Sequence, residues 1–334
     1  MTVQQPAGFL HKLGAFLPGR HETWRVMDTK PDLHGRTALV TGGNSGLGLE
    51  VARGLARRGA RLLLPVRDTA RGQQAVAALT ASCPQAHITL LALDLASLES
   101  VSACARAVAE QTDTLDFLIN NAGVMAPAHR LETQDGFERQ FGVNHLGHFA
   151  LTAALRPLLQ AARGGGTVVT VASLAAGRNT LHFDDLQSRH RYSPFGAYQQ
   201  SKLANLLFSL ELARRAAENG WNLHARAAHP GWASTAILAN GQGATLPAPL
   251  GRIEQTLGGA VLRVMGQSAA RGAEPLLYAA LSPDAHDGDY YGPQGAGERH
   301  GRPGPVPIPP TARKPSLAAR LWDISERLTG FSMG

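Results

Sequence analysis

The 334-residue sequence predicts a doubly wound α/β fold built on a mostly parallel sheet. Three observations carry that reading. Short, nearly all-apolar runs alternate with helical stretches from about residue 37 to 229. Those runs lack the in-and-out alternation of a half-exposed strand, as expected for strands covered on both faces. A glycine-rich turn joins the first apolar run to the first helical stretch, the place where such sheets bind ligands.

Taken in order, "TALVT" (37–41) is a strand and "LEVARGLARRG" (49–59) a helix stopped by Gly59. "RLLLPV" (61–66) is the second strand, and Pro65 is expected to end or bend it, because proline has no N–H for a ladder. Residues 69–81 read as helix, "ITLLAL" (88–93) as strand, 97–110 as helix and "LDFLIN" (115–120) as strand. A single helix is expected over about 135–162, broken or kinked at Pro157. "TVVTVA" (167–172) is a strand, 197–219 a long helix and "LHARAAH" (223–229) the final strand. Beyond residue 230 the pattern loosens. "ANGQGATLPAPLG" (239–251) reads as loop and 267–281 as helix, followed by an extended stretch with prolines at 303, 305, 307, 309, 310 and 315. Leu317, Leu321, Ile324 and Leu328 then share one face of a last helix, with Ser316 as N-cap and Gly330 as stop. That helix should dock on its own domain or on a second subunit. The organisation expected is an N-terminal extension (1–34), one main α/β domain (35–292) and a C-terminal extension (293–334).

Composition narrows the function classes. With 44% apolar and 17% charged residues the chain can bury a sizeable core. The formal charge of +7 is spread thinly, with no lysine/arginine run, so nucleic acid is not expected as a partner. A small polyanion such as a nucleotide fits the same charge. Cys83 and Cys104 are isolated, which suggests a reducing, cytoplasmic setting and no metal framework. No apolar run reaches transmembrane length. In "GFLHKLGAFLPGR", Phe9, Leu10, Leu13, Phe16 and Leu17 fall at helical spacing, so weak membrane-surface contact through residues 8–17 stands beside simple packing on the domain.

The chemistry-bearing residues begin in "TGGNSGLG" (41–48). Gly42, Gly46 and Gly48 let backbone approach a pyrophosphate, and the helix N-terminus that follows favours negative charge; Asn44, Ser45 and Leu47 complete the turn. After the second strand, Val66 offers a ribose hydroxyl nothing, whereas the Arg67 guanidinium suits a 2′-phosphate. That points to NADP(H) rather than NAD(H). Asp68 could serve the ribose of NAD but is better placed to cap the next helix. In "AYQQSKLAN" (197–205), Tyr198 and Lys202 lie four residues apart on one helix face. Alone, the pair is equally a surface lysine beside a half-buried tyrosine. Its chemical reading is a phenol made more acidic by an ammonium. Of five tyrosines, only Tyr198 has a lysine four residues on.

Five motifs in order resemble the short-chain dehydrogenase/reductase family over about residues 37–235: "TGGNSGLG", "LDL" around Asp94, "NNAG" (120–123), Ser173 with Tyr198 and Lys202, and "HPGW" (229–232). The wording of "VRD", "QFGVNHLGHFALT" and "AYQQSKLANLLF" is similar to the retinol-dehydrogenase-like branch, whose members oxidise or reduce apolar alcohols and carbonyls. The resemblance implies a Rossmann-type enzyme that transfers hydride between a nicotinamide and a small-molecule carbonyl or alcohol, often as a homodimer or homotetramer. By position it implies that Asp94, with Leu95, meets the adenine, and that Asn121, Ala122 and Gly123 line the cofactor. Asn144 matches an asparagine that anchors a proton-relay water. Pro230 and Gly231 would pass the nicotinamide, and Thr235 would reach its carboxamide. Tyr198 is the implied general acid/base, Ser173 a hydrogen-bond donor to the reacting oxygen, and Lys202 a ligand of the ribose. Alanine at 172, where the family often has serine, leaves this set intact. The glycine- and alanine-rich segment 233–270 is expected to cover an apolar substrate. A non-catalytic NADPH-binding scaffold of the same fold is the alternative.

Overall fold

The computed structural model describes residues 31–178, 180–232 and 267–333. Residues 8–17, Thr235 and all but the end of the 233–270 segment lie outside them.

The alternating pattern folds as β1 (Thr37–Val40), α1 (Gly46–Ala56), β2 (Arg61–Val66), α2 (Thr69–Ser82), β3 (Ile88–Ala92), α3 (Leu98–Gln111) and β4 (Phe117–Asn120). It continues with α4 (Arg139–Phe141), a π-helical turn (Gly142–Leu146), α5 (Gly147–Ala161), β5 (Gly166–Val171), α6 (Pro194–Asn219) and β6 (Leu223–Ala228). After these come α7 (Ala269–Leu281), β7 (Tyr290–Pro293), β8 (Pro303–Pro305) and α8 (Pro315–Thr329). Among the described residues the sheet has eight strands in the order β3-β2-β1-β4-β5-β6-β7-β8. Every pairing is parallel except β7 with β8. The chain reverses its direction of travel across the sheet between β1 and β4. Two adjacent strands there send their C-terminal ends into helices on opposite faces, which opens a crevice.

Several expectations are corrected by tertiary context. Pro65 does not end β2, which runs to Val66 and pairs Pro65 with Leu91 of β3. Arg61 N–H points to Arg36 of the β1 side and Leu62 N–H to His87 of the β3 side. By alternation, the N–H that Pro65 lacks would face β1, whose pairing with β2 ends at Leu63. Pro157 does not break its helix either: α5 is continuous through it. Pro157 is exposed, so its ring meets solvent and not the core. The expected single helix over 135–162 instead starts at Arg139 and carries the π turn. In α8 the N-cap is Lys314, not Ser316, because Pro315 with its fixed φ takes the first helical position. The proline-rich stretch contributes β8, and β7 precedes it; neither strand is apparent from hydrophobic pattern. The last helix docks on its own domain: Trp322 packs edge-on to Phe149 at 5.2 Å and stacks on Phe208 of α6 at 5.8 Å. Among the described residues no helix is long and apolar enough to cross a membrane.

Candidate active site

The glycine turn lies where β1 hands over to α1. Gly42 and Gly46 adopt φ of +65° and +52°, which side chains disfavour. A Cβ on Gly48 would stand 2.3 Å from Gly42 O, so only glycine lets the helix start this close to the turn. Ser45 is the N-cap of α1 by backbone, yet its hydroxyl caps no N–H. The first-turn amides are therefore left to a ligand. Beside this turn is a cavity of about 630 Å³. It is lined by Gly42, Asn44, Ser45, Gly46, Leu47, Gly48, Arg67, Asp94, Leu95, Asn121, Ala122 and Gly123, all expected from sequence. The size falls within the usual range for a bound cofactor. A glycine cradle that any Cβ would fill, with free amides at a helix start, fits a dinucleotide.

At the cavity rim Arg67 and Arg71 are exposed. Asp68 is turned into α2: its Oδ1 accepts from Arg71 N–H at 3.1 Å, and its other oxygen stands 3.5 Å from the Arg71 guanidinium. Asp94 spends part of its carboxylate on the Ala96 N–H, at 2.9 Å.

Two residues that organise the cradle were not singled out from sequence. The hydroxyl of Thr41 accepts from the amides of Asn121 (2.9 Å) and Ala122 (3.0 Å), tying the glycine turn to the end of β4. His148 of α5 meets the same hydroxyl through Nε2 at 2.9 Å and the Asn144 carbonyl through Nδ1 at 2.9 Å. A carbonyl only accepts, so Nδ1 carries the proton and Thr41 donates to Nε2. Burial pushes the imidazole down to about 4, which keeps it neutral in this role. The available signal was spacing: His148 stands one helical turn after Asn144.

Behind Gly123 the expected reaction centre comes together. A Cβ on Gly123 would be 3.1 Å from Asn144 Oδ1 and 3.7 Å from Lys202 Nζ. Asn144 sits in the π turn, which widens the helix and aims the side chain into the site. Its Oδ1 accepts from Val124 N–H, and its Nδ2 donates to Val124 O and Ser201 Oγ. Ser173 follows β5, and its Oγ accepts from Ala175 N–H at 3.1 Å. Lys202 is buried and donates to Val171 O at 3.0 Å.

The effect expected between Tyr198 and Lys202 is reversed in the folded chain. Burial raises the phenol above its ordinary range, and the Ser173 hydrogen bond only partly offsets it. Burial also lowers Lys202 to about 8. The Lys202 nitrogen lies 5.9 Å from the centre of the Tyr198 ring, and desolvation outweighs its field there.

Pro230 and Gly231 follow β6, next to the Ser173-bearing strand but off the main cavity wall. The turn is pinned: Gly231 N–H donates to His229 Nδ1, Gln267 donates to Pro230 O, and the His229 Nε2 meets Glu298 at 3.1 Å. Three large apolar side chains are exposed among the described residues: Leu131 (44%), Phe195 (48%) and Trp232 (40%). Leu131 lines the cavity, Phe195 stacks on Tyr198 at 6.0 Å, and Trp232 follows the Pro230–Gly231 turn.

Comparison with known proteins agrees with this geometry. The family described as short chain dehydrogenase matches residues 36–243. Retinol dehydrogenase 14 of Mus musculus is 38% identical over 310 residues, covering 89% of this chain and 87% of that protein. Polyprenol dehydrogenase of Mus musculus is 40% identical over 308 residues, covering 91% and 87%. A crystal structure of an uncharacterized protein from Mycobacterium Paratuberculosis superposes with a TM-score of 0.74 at 39% identity, over 93% of this chain and 99% of that one.

Proposed function

The chain belongs to the short chain dehydrogenase family, in its retinol-dehydrogenase-like branch, and within that frame we propose an NADP(H)-dependent oxidoreductase acting on an apolar alcohol or its carbonyl. When bound, the nicotinamide supplies or takes the hydride. The chain's residues handle the oxygen and its proton. In the reducing direction Tyr198 gives its phenolic proton to the substrate oxygen. Ser173, which follows β5, donates to the same oxygen as negative charge builds. A raised phenol pKa suits a group that must hold its proton until the oxygen becomes basic. Lys202, as the cation, stabilises the phenolate left behind and would hold the nicotinamide ribose. Asn144 fixes the Val124 segment beside it and keeps one Oδ1 lone pair for a relay water.

The apolar substrate rests on one observation: two of the three exposed large apolar side chains of the described residues lie at this centre, Leu131 on the cavity wall and Phe195 stacked on Tyr198. Lone exposed apolar residues mean little, but a cluster at a site mouth points to an apolar ligand. The relatives named for retinol and polyprenol are named for alcohols on long apolar chains. NADP(H) is supported by Arg67 and Arg71 at the cavity rim, and by the commitment of Asp68 to its helix. A homodimer or homotetramer is proposed from the family resemblance alone.

The test is NADPH and NADH oxidation with a panel of aldehydes and ketones of increasing chain length. We expect kcat/KM to rise with chain length and to favour NADPH. A purified, cofactor-binding protein inert toward the whole panel would favour the scaffold reading instead.

A further inference from the structure

Ser173 stands where β5 leaves the sheet, two residues past Val171, which pairs with Ala228 of β6. The ladder holds this strand as far as the Ala172 N–H, which donates to Ala228 O at 2.8 Å. Beyond that point the Ser173 carbonyl takes over. It accepts from the Ala176 N–H at 3.0 Å, within the 3-10 turn Leu174–Arg178. It also accepts from the Tyr290 hydroxyl of β7 at 3.1 Å, from 117 residues away in the chain. A carbonyl oxygen has two lone pairs, so both are used.

The Tyr290 side of that bond is itself firmly held. Tyr290 is 2% exposed and pairs with Ala227 of β6, which pairs in turn with Thr170 of β5. By the alternation of the pleat these three side chains share one face. Ala227, in the middle, has only a methyl group, and Tyr290 shares a core with it and with Ala172 and Ala176. The phenol ring also meets His229, with ring centres 5.0 Å apart. His229 is fully buried and fixed at both nitrogens. Its Nδ1 accepts from Gly231 N–H, so Nε2 carries the proton toward Glu298. A Cβ on Gly292 of β7 would collide with that imidazole. Burial, reinforced by the Glu298 charge, holds the Tyr290 phenol well above its ordinary range, so its proton stays available to the carbonyl.

We infer that Tyr290 is a positioning residue for Ser173: its hydroxyl, acting through the Ser173 carbonyl, fixes the peptide that carries the donor to the reacting oxygen. The Ala176 bond ties Ser173 only to the turn that follows it. The Tyr290 bond ties it to the sheet. A donor to developing charge has to be in place before the charge appears, and an error of about 1 Å can cost about 10²-fold in rate. The inference rests on the role proposed for Ser173.

The test compares Tyr290→Phe with Tyr291→Phe in the full chain, with NADPH and the aldehyde of the panel that is reduced fastest. Phe keeps each ring and removes one buried hydroxyl. Tyr291 is the control: it is 1% exposed in the same strand, but its hydroxyl serves the His286 N–H and Asp289. Tyr290→Phe should lower kcat about tenfold, short of the roughly 10²–10³ lost with an oxyanion donor itself, and leave KM and the NADPH Kd nearly unchanged. Tyr291→Phe should lower Tm at least as much and leave kcat within about twofold of wild type. Made on Ser173→Ala, the Tyr290→Phe change should lower kcat no further, because the group it positions is gone. Wild-type kcat in Tyr290→Phe, an equal loss in Tyr291→Phe, or an undiminished loss on Ser173→Ala would each overturn the inference. Full turnover by Ser173→Ala alone removes the role of Ser173, and the positioning role with it. A strongly impaired Ser173→Ala beside a fully active Tyr290→Phe removes the positioning role and leaves that of Ser173 standing.

Discussion

At the rim of the cofactor cleft Arg67, Asp68 and Arg71 stand in solvent, whereas behind Gly123 the groups Tyr198, Lys202, Asn144 and His148 are buried. The rim holds full charges that keep most of their hydration. Only the cap of α2 and one loose ion pair order them. The inner site holds few charges, and Asn144, Lys202 and His148 are each hydrogen-bonded to protein neighbours. The difference follows from desolvation. A charge in water can meet an anionic ligand and release it at little cost, so the rim suits selection between cofactors. A buried polar group costs free energy unless its partners are already in place. The inner site is therefore rigid, and its pKa values are displaced from ordinary ones. Changes at the rim should alter affinity and leave chemistry alone; changes inside should do the reverse.

The sharpest way to break that contrast is Tyr198→Phe. It removes the transferable proton and little volume, and should lower kcat by about 10²–10⁴ with the NADPH Kd nearly unchanged, as read by cofactor fluorescence. Turnover close to wild type would make the tyrosine a structural residue. At the rim, Arg67→Ala should raise the NADPH KM roughly ten- to a hundredfold, because a charge-assisted bond is worth about 1.5–3 kcal/mol. NADH kinetics should barely move. Equal weakening of both cofactors would leave Arg67 a surface cation.

A smaller effect concerns pH. Burial lowers Lys202 to about 8, so its ammonium is lost as pH rises through that value. If catalysis needs the cation, kcat/KM should fall above about pH 8, since that ratio reports the free enzyme. A flat profile to pH 10 (about the ordinary phenol value) would dissociate the lysine charge from the chemistry. His145 and His148, at about 3 and 4 when folded, should act on stability instead. Below their ordinary value of 6.5 the unfolded chain binds protons that the folded chain refuses. Stability is then complete above that value and declines as pH falls toward the folded values. Each imidazole should contribute a slope of up to about 1.4 kcal/mol per pH unit in that window. Urea midpoints of His148→Gln against wild type at several pH values measure it, and identical slopes would place the acid loss elsewhere.

The smallest expected effect is Asp68→Ala, which removes the α2 cap and should cost about 1 kcal/mol of stability. If Asp68 is only a cap, NADPH preference should survive. A switch in preference would show that its carboxylate faces the ribose after all.

What the amino-acid sequence determined by itself was local. β1, the glycine turn and α1 are contiguous, and the turn's demand for Gly42, Gly46 and Gly48 is a backbone requirement readable in eight letters. Tyr198 and Lys202 share a face because helical periodicity puts them there. The apolar strands declared a buried parallel sheet for the same reason. Tertiary structure decided whatever depends on partners distant in the chain. The fate of Pro65 turned on which neighbour its missing N–H faced. "YYGP" and "PGP" become strands only because β6 offers an edge and β7 then offers another. Thr41 acquires its role from Asn121, Ala122 and His148, which lie 80 or more residues away. The direction of the Tyr198 shift could not be read from a lysine four residues on. A neighbouring charge is visible in sequence, but the loss of water around both groups exists only once the fold has closed over them.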